Sequence, residues 1–95
     1  MVGYSELLWC NIEGESVAVH TDTGTLFTSW RLSELERRLP AQFWRVHRQA
    51  LVHLHRVVEL RDTPSGGYLA RLDNNDSVQV SRATARRLRR VLLDR

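Results

Sequence analysis

Apolar and polar residues alternate in short runs over the first eighty residues of the chain, a pattern that predicts half-buried β-strands. The predicted strands cover residues 6–12, 16–20, 25–29, 43–47, 53–60, 68–72 and 77–80. Turn-forming residues separate several of them, notably Glu13-Gly14-Glu15, Asp22-Thr23-Gly24, Pro64-Ser65-Gly66-Gly67 and Asp73-Asn74-Asn75-Asp76. Residues 48–52 fit either a helical turn or a bend. The pattern therefore predicts a mostly β domain.

Two segments follow the helical period instead of the strand period. The first is a short amphipathic helix that ends before Pro40, with apolar residues at Leu32, Leu35 and Leu39. Ser81 can cap the second helix, which runs over residues 82–92. The apolar stripe of this second helix consists of Ala85, Leu88 and Leu92, and another face carries Arg82, Arg86, Arg89 and Arg90. We therefore expect two short helices beside the strands.

Length and composition limit the class of protein. Residues 1–95 suffice for a single domain, and the hydrophobic and charged fractions, 42% and 26%, are those of a folded protein. No run approaches 18 consecutive apolar residues, and the N-terminus has no secretory leader, so we expect no membrane association. The single cysteine, Cys10, cannot form an internal disulfide, and the apolar run around it predicts a buried side chain. The expected compartment is a reducing cytoplasm.

Charge is divided unevenly along the chain. Residues 1–30 carry four acids and no base, whereas residues 31–95 carry fourteen bases and seven acids. Every base is an arginine, whose guanidinium group matches phosphate and guanine edges better than an ammonium group does. Residues 81–95 alone hold six arginines against one aspartate. This concentration predicts that a polyanion binds near the second helix.

Catalytic and metal-binding functions have little support in the sequence. There is no glycine-rich phosphate loop, nucleophile elbow or zinc-protease helix, so we do not expect an enzyme. His47, His53 and His55 could contribute to a metal site, but such a site needs a further ligand and usually a carboxylate or thiolate nearby. In an arginine-rich stretch, surface histidines that hydrogen-bond bases or phosphates are the better interpretation. We therefore expect neither a metal nor a cofactor.

The aromatic side chains admit two interpretations, and the residues concerned are Trp9, Phe27, Trp30, Phe43 and Trp44. They could form a stacking platform for single-stranded nucleic acid, or they could fill the core. A domain of this size needs its large side chains to fill the interior, which favours the core. Trp30, just before the first helix, is the expected exposed exception.

The order of several motifs is the most specific signal in the chain. These motifs are Leu32-Ser33-Glu34-Leu35-Glu36-Arg37-Arg38-Leu39-Pro40, Phe43-Trp44-Arg45-Val46-His47-Arg48, Leu51-Val52-His53, Val57 and Val80-Ser81-Arg82. In this order and spacing they resemble the LytTR DNA-binding domain, the output half of many bacterial response regulators. The resemblance extends from Leu7 to Leu93. It implies a mainly β fold, with short antiparallel strands in small sheets, that reads DNA through loops and not through a recognition helix.

The resemblance also implies three regions that contact bases. They are the loop before the second strand, the position after the aliphatic pair Leu51-Val52, and the arginine of the last motif, which here are Glu15 and Ser16, His53, and Arg82. Glu15 is acidic, so it either accepts a hydrogen bond from cytosine N4 or faces solvent.

The chain departs from the family pattern at two positions. Gln49 follows Arg48 where the family commonly has serine, and His53 stands where it commonly has asparagine. Asparagine can bond adenine through two atoms, whereas each histidine nitrogen offers one donor or one acceptor. A different base, such as guanine through its N7, is therefore expected at His53, and the target sequence of the family does not carry over.

These features predict sequence-specific binding of double-stranded DNA by the output domain of a transcription regulator of the two-component type. The expected contact residues are Glu15, Ser16, Arg48, His53, Arg56, Arg82, Arg86, Arg89 and Arg90. We expect the arginines of the second helix beyond Arg82 to act mainly on phosphate, and two copies to bind direct repeats.

Two alternative functions and the context of the domain in a longer protein remain open at this stage. A receiver domain has no room before the first strand, so the chain is either an excised output domain or a stand-alone regulator. A module for RNA or single-stranded nucleic acid would use exposed aromatic residues. A protein-interaction domain would use an edge strand or the leucine stripe of the first helix, and its binding would depend weakly on salt.

Overall fold

Eight strands and two α-helices form residues 3–95, the part of the chain that the computed structural model describes. In chain order they are β1 (Leu7–Glu13), β2 (Ser16–Thr21), β3 (Gly24–Thr28), α1 (Leu32–Arg38), β4 (Phe43–His47), β5 (Ala50–His53), β6 (Val57–Asp62), β7 (Tyr68–Leu72), β8 (Ser77–Val80) and α2 (Arg82–Leu93). Single 3₁₀ turns precede β1 and β6, at Tyr4–Glu6 and Leu54–Arg56. The predicted mainly β class with two short helices is confirmed.

The strands form two antiparallel sheets. The larger sheet has five strands in the order β3-β2-β1-β5-β4, and the smaller has three in the order β6-β7-β8. In the larger sheet β1 lies between β2 and β5, where Cys10 is opposite Val19 on one side and Leu51 on the other. Each neighbouring pair is antiparallel, and short turns connect most sequential strands, as the Gly- and Asn-rich segments predict.

One core lies between the two sheets and is closed by α2. Leu8, Val52 and Leu72 are each at most 1% exposed in this cluster, and Leu88 of α2 is fully buried against it. The helix supplies Ala85 and Leu88 one turn apart on the same side, the pattern that lets one face pack while the other stays in water. The predicted apolar stripe of the second helix is therefore confirmed.

A smaller core lies on the other face of the larger sheet, beneath α1. Its members are Cys10, Val17, Leu32 and Leu51, with Leu35 and Leu39 packed at its margin. Cys10 is 2% exposed, and this burial raises the pKa of its thiol to about 12, so it stays a neutral, inert thiol. The predicted burial of Cys10 and the amphipathic character of α1 are both confirmed.

The sequence pattern misplaced the boundaries around β5. Residues 53–60 do not form one strand, and residues 48–52 are neither a helical turn nor a simple bend, because β5 begins at Ala50 and ends at His53. A 3₁₀ turn at Leu54–Arg56 then separates β5 from β6. The four residues of β5 are all buried, since β1 and β4 flank this strand and both of its faces are covered. A strand that is buried on both faces does not alternate between apolar and polar residues, so the pattern that predicts strands is missing from its sequence.

The aromatic residues divide between core and surface. Phe43 is 5% exposed, and Trp9 and Trp44 are half-buried against the main core, as expected. Trp30 is 45% exposed, which confirms the predicted exception. Phe27 is 64% exposed, so its predicted place in the core is wrong. It lies on β3, the edge strand of the larger sheet, where no strand or helix of residues 3–95 covers it.

Candidate nucleic-acid interface

Three chain segments meet at one end of the larger sheet, which we call the turn end. These are the β1–β2 turn at residues 14–15, the β4–β5 turn at residues 48–49 and the N-terminus of α2. The backbone amide of Ile12 donates to the carbonyl of Gln49 at 3.1 Å, which ties the first two together. The amide of Ser81 donates to the carbonyl of Val46 at 2.7 Å, which fixes the start of α2 beside β4. The predicted contact residues Glu15, Ser16, Arg48 and Arg82 therefore lie at the same end.

Two further residues predicted to contact DNA, His53 and Arg56, lie at the opposite end of the larger sheet. Strand β5 runs away from the turn end, and its last residue, His53, is paired with Phe43 at the start of β4. Three residues span about 10 Å in a strand, so His53 is separated from the turn end by the length of β5. The set of residues predicted from the sequence is thus split between two ends.

His53 is a buried residue of the sheet and not a surface histidine. It is 5% exposed, and its Nδ1 lies 2.9 Å from the backbone carbonyl of Leu7. Because a carbonyl oxygen only accepts, Nδ1 carries the proton in this contact. The ring stacks on Phe43 with a centroid separation of 4.5 Å. Burial lowers the pKa of His53, with the nearby His55 and Arg56 acting in the same direction. The expectation of a surface histidine is wrong here.

Arg56 is held by acidic partners from distant parts of the chain. Its Nε lies 2.7 Å from Asp73, and its Nη2 lies 2.7 Å from Asp22. The remaining N–H groups of the Arg56 guanidinium donate hydrogen bonds to the same two carboxylates and to the carbonyl of Ser5. All five guanidinium donors are therefore used inside the protein. The same contacts lower the pKa of Asp22 and Asp73 and raise that of Arg56.

The sequence predicted Arg56 as a DNA contact, but this geometry leaves it no free donor. We assign it instead to the closure of the opposite end, where it joins the β2–β3 turn to the β7–β8 turn. The signal that could have identified this role was weak, because Asp22 and Asp73 lie 34 and 17 residues away from Arg56 in the sequence.

The turn that carries Arg48 is braced by Arg45. The Nε of Arg45 donates to the carbonyl of His47 at 3.0 Å, and an Nη2 bond reaches the carbonyl of Arg48. The Nη1 of Arg45 also forms an ion pair with Glu36 of α1 at 3.0 Å. Arg48 itself is exposed. Arg45 positions this turn and was not among the contact residues predicted from the sequence, although it lies within the Phe43-Trp44-Arg45-Val46-His47-Arg48 motif.

Helix α2 presents Arg82 in its first turn. The Oγ of Ser81 accepts a hydrogen bond from the amide of Thr84 at 3.3 Å, which confirms the predicted cap. Arg82 follows the cap and is exposed, and Arg86 and Arg90 are exposed further along the helix. The three guanidinium groups have no ion-pair partner within residues 3–95.

Two other arginines of α2 are engaged with the protein surface. Arg89 lies 3.4 Å from Asp62 at the end of β6, and its guanidinium group lies 5.8 Å from the ring centre of Tyr68. Arg87 stacks at 4.6 Å over the ring of Trp44. Both the arginine and the aspartate of the first pair are more than half exposed, so water screens this contact and it contributes little. Of the arginines on α2, Arg87 and Arg89 therefore already contact other side chains of the protein.

A shallow cleft of about 270 Å³ adjoins the β1–β2 turn. Gly14, Glu15 and Ser16 form one wall, and Trp30 and Arg31 form the other. Gly14 has a φ of +60°, a left-handed conformation that favours glycine and sets the direction of the turn. Trp30 and Arg31 are exposed beside the predicted contact loop, and Arg31 is not among the contact residues predicted from the sequence.

Metal binding and membrane insertion have no support in the described residues. Within residues 3–95, no group of three or more histidine, cysteine, aspartate or glutamate side chains is placed to hold a metal ion. In the same range no helix is long and apolar enough to cross a membrane.

Comparison with known proteins identifies this arrangement. A family profile described as the LytTr DNA-binding domain matches residues 1–93 of the chain. The chain belongs to this family. The LytTr fold is also found in the solved LytTr DNA-binding domain of a Bacillus cereus protein described as a methyl-accepting/DNA response regulator. That structure aligns with a TM-score of 0.83 and 25% identity, over 96% of this chain and 84% of the other.

Two curated proteins are similar to this LytTr domain over nearly its whole length. One is the CO-responsive transcriptional regulator RcoM of Rhodospirillum rubrum, which is 42% identical over 89 residues. The other is the sensory transduction protein LytT of Bacillus anthracis, which is 28% identical over 93 residues. The alignments cover 90% and 97% of this chain, but only 37% and 38% of the relatives. The chain is thus a LytTr DNA-binding domain, the kind of output domain found in response regulators.

Proposed function

We propose that this LytTr domain binds specific sequences of duplex DNA through its turn end and thereby regulates transcription. The observation that carries the proposal is the meeting of the β1–β2 turn, the β4–β5 turn and the start of α2, which the backbone bonds of Ile12 and Ser81 fix. Loops held this rigidly can enter a groove in a defined orientation, which base reading requires.

The residues of the turn end have distinct roles in this proposal. Arg82 and Arg48 are exposed and unpaired within residues 3–95, so each can offer two donors to guanine O6 and N7. Ser16 supplies a hydroxyl, and Glu15 accepts from cytosine N4 when it lies in the groove. His53 and Arg56 have no base to contact, because both are engaged at the opposite end.

The arginines along α2 add affinity without sequence information. Arg86 and Arg90 are exposed on the helix that starts at the turn end, and Arg89 can exchange its screened contact with Asp62 for phosphate. Each neutralised phosphate releases condensed counterions, so binding weakens as salt rises. We propose that these three residues contact the DNA backbone.

The size of the domain supports the arrangement on DNA that we propose. A protein whose longest extent is 33 Å covers roughly one helical turn of duplex, which spans about 34 Å. We propose that two copies bind direct repeats about 10–11 base pairs apart, on one face of the duplex. Inserting about five base pairs would move one copy to the other face, and we expect it to remove cooperativity.

The wider context of the domain also belongs to the proposal. Both relatives are longer than this chain, and one is named a transcriptional regulator and the other a sensory transduction protein. We carry over the control of transcription alone, not the response to CO named for the first. We propose that the domain acts in the cytoplasm, where transcription takes place in bacteria, and that it contributes binding and no catalysis. Neither relative favours the alternatives of an RNA-binding module or a protein-interaction domain.

Selection from a pool of random duplexes tests the proposal directly. We expect a converged motif, and we expect log K for that motif to fall with log salt at a slope of about −4 to −5. This slope corresponds to about five neutralised phosphates, when the charges of Arg48 and Arg82 are counted with those of Arg86, Arg89 and Arg90. Tighter binding to single-stranded DNA or RNA than to any duplex, or a slope near zero, would overturn it.

A further inference from the structure

A second, polar groove lies between the two sheets at the turn end. Its volume is about 190 Å³, and Trp9, Val78 and Ala50 form its floor. One wall is the β4–β5 turn with His47 and Gln49, the other is β8 with Ser77 and Gln79, and Asn11 and Ile12 complete the lining. None of these lining residues is an acid, a lysine or an arginine. The groove is therefore rich in amides and free of fixed charge.

One of the two glutamines that line this groove, Gln79, stands on β8. Val78 and Val80 are buried in the main core, whereas Ser77 and Gln79 are exposed on the other face of the strand. The backbone bond from Ser81 to Val46 holds the end of β8 against β4. The position of Gln79 is therefore set by two packed sheets and not by a free loop.

The second glutamine stands on the β4–β5 turn. The backbone amide of Gln49 donates to Nδ1 of His47 at 3.2 Å, and its carbonyl accepts from Ile12. Its side chain is exposed, as is that of Gln79, and neither side-chain amide has a hydrogen-bond partner within residues 3–95. Two amides with free donors and acceptors thus face the same groove.

The residues that line the groove are close in the chain to the two arginines that the proposed function assigns to bases. Arg48 directly precedes Gln49, and Arg82 follows Gln79 by three residues, just after the cap of α2. We expect a duplex that is read by both arginines at the turn end to lie close to this groove. An amide side chain there meets base edges or phosphates, and the charged guanidinium groups beside it are the stronger phosphate ligands.

We propose that Gln49 and Gln79 are specificity-determining residues that read adenine in the target site. A glutamine amide offers one acceptor and one donor in a plane, which match the N6 amino group and N7 of adenine in the major groove. The selected site then has A·T pairs adjacent to the guanines read by Arg48 and Arg82. This inference rests on the proposed function, because it requires sequence-specific duplex binding through the turn end.

The test repeats the duplex selection with Gln49→Ala and Gln79→Ala. We expect each variant to lose the preference for A·T at one position and to keep the remainder of the motif. Affinity for the wild-type motif should fall about tenfold, while affinity for random duplex stays the same. Gln42→Ala is the matched control, because this glutamine lies at the opposite end, next to the start of β4, and its loss should change nothing.

The outcomes separate the inference from the proposed function. An identical motif for the wild type and both variants would overturn the inference and leave the proposed function intact. An equal loss of affinity for selected and random duplexes would also overturn it, since that result indicates a phosphate contact. If the wild type enriches no motif, both proposals fail. Thermal unfolding of each variant, which we expect to match the wild type because both side chains are exposed, excludes misfolding as the cause.

Discussion

The two ends of the larger sheet both carry arginine, yet they use it in opposite ways. At the end opposite the turn end, all five guanidinium donors of Arg56 are hydrogen-bonded to Asp22, Asp73 and the carbonyl of Ser5. Only 18% of the Arg56 side chain is exposed. At the turn end, Arg48 and Arg82 are exposed and have no ion-pair partner within the described residues. The residue type is the same, and the supply of nearby carboxylates decides whether it stabilises the fold or stays free for an anionic ligand.

The largest effect is expected on stability, when the ion pairs of Arg56 are removed. Arg56→Ala removes charged hydrogen bonds and leaves Asp22 and Asp73 facing each other without a cation. We expect the free energy of unfolding to fall by about 2 kcal/mol, measured by denaturant titration. Arg48→Ala is the control, and its effect should stay within about 0.5 kcal/mol. Equal losses in the two variants would show that the two ends do not differ as described.

The second largest effect is expected on DNA affinity, when an exposed arginine of the turn end is removed. Arg82→Ala should lower affinity for the selected duplex by about 1–3 kcal/mol, because a bidentate contact with guanine is lost, and should lower affinity for random duplex less. Arg82→Lys keeps the charge but loses the planar fork, so it should restore only part of the specificity. The quantity to measure is the ratio of specific to random affinity. An unchanged ratio in Arg82→Ala would mean that this residue contacts phosphate only.

A smaller effect distinguishes the arginines along α2. Arg86→Ala should make the salt dependence of log K shallower by about 0.9, the contribution of one phosphate. Arg89→Ala should change the slope less, since Arg89 already interacts with Asp62 and Tyr68 in the free protein. Titrations of duplex at several salt concentrations measure both slopes. The comparison fails if Arg89→Ala changes the slope more than Arg86→Ala does.

The smallest expected effect is a pH dependence of stability caused by His53. Burial holds its pKa below the ordinary value of about 6.5, so the folded protein binds fewer protons than the unfolded chain. The unfolding free energy should therefore decline as pH falls below about 6.5 and level off below the folded pKa. Thermal unfolding across this range measures the decline, which should be reduced in His53→Asn.

The same variant addresses the role of His53 in DNA binding. Because the ring is 5% exposed and bonded to Leu7, His53→Asn should leave the selected motif unchanged. A new preference at one base position would contradict the assignment of His53 to the interior of the sheet.

Much of the fold could be predicted from the local pattern of residues. The alternation in β2 and β8, the leucine spacing of α1 and the Ser81 cap of α2 each depend on neighbours within a few residues. The boundaries of β5 could not be predicted, because flanking strands bury both of its faces and remove the polar alternation. Phe27 was misplaced for a related reason, since only the strand order shows that β3 is an edge.

The sequence by itself determined the family, the division of charge and the two turns and one helix that supply the candidate contacts. Only the tertiary structure decided which of these side chains are free. Arg56 meets carboxylates 17 and 34 residues away, and His53 meets a carbonyl 46 residues away. Contacts of this range arise when separate parts of the chain pack side by side, so no local pattern records them. Only the tertiary structure therefore separates the arginine that is paired inside this domain from those that stay exposed.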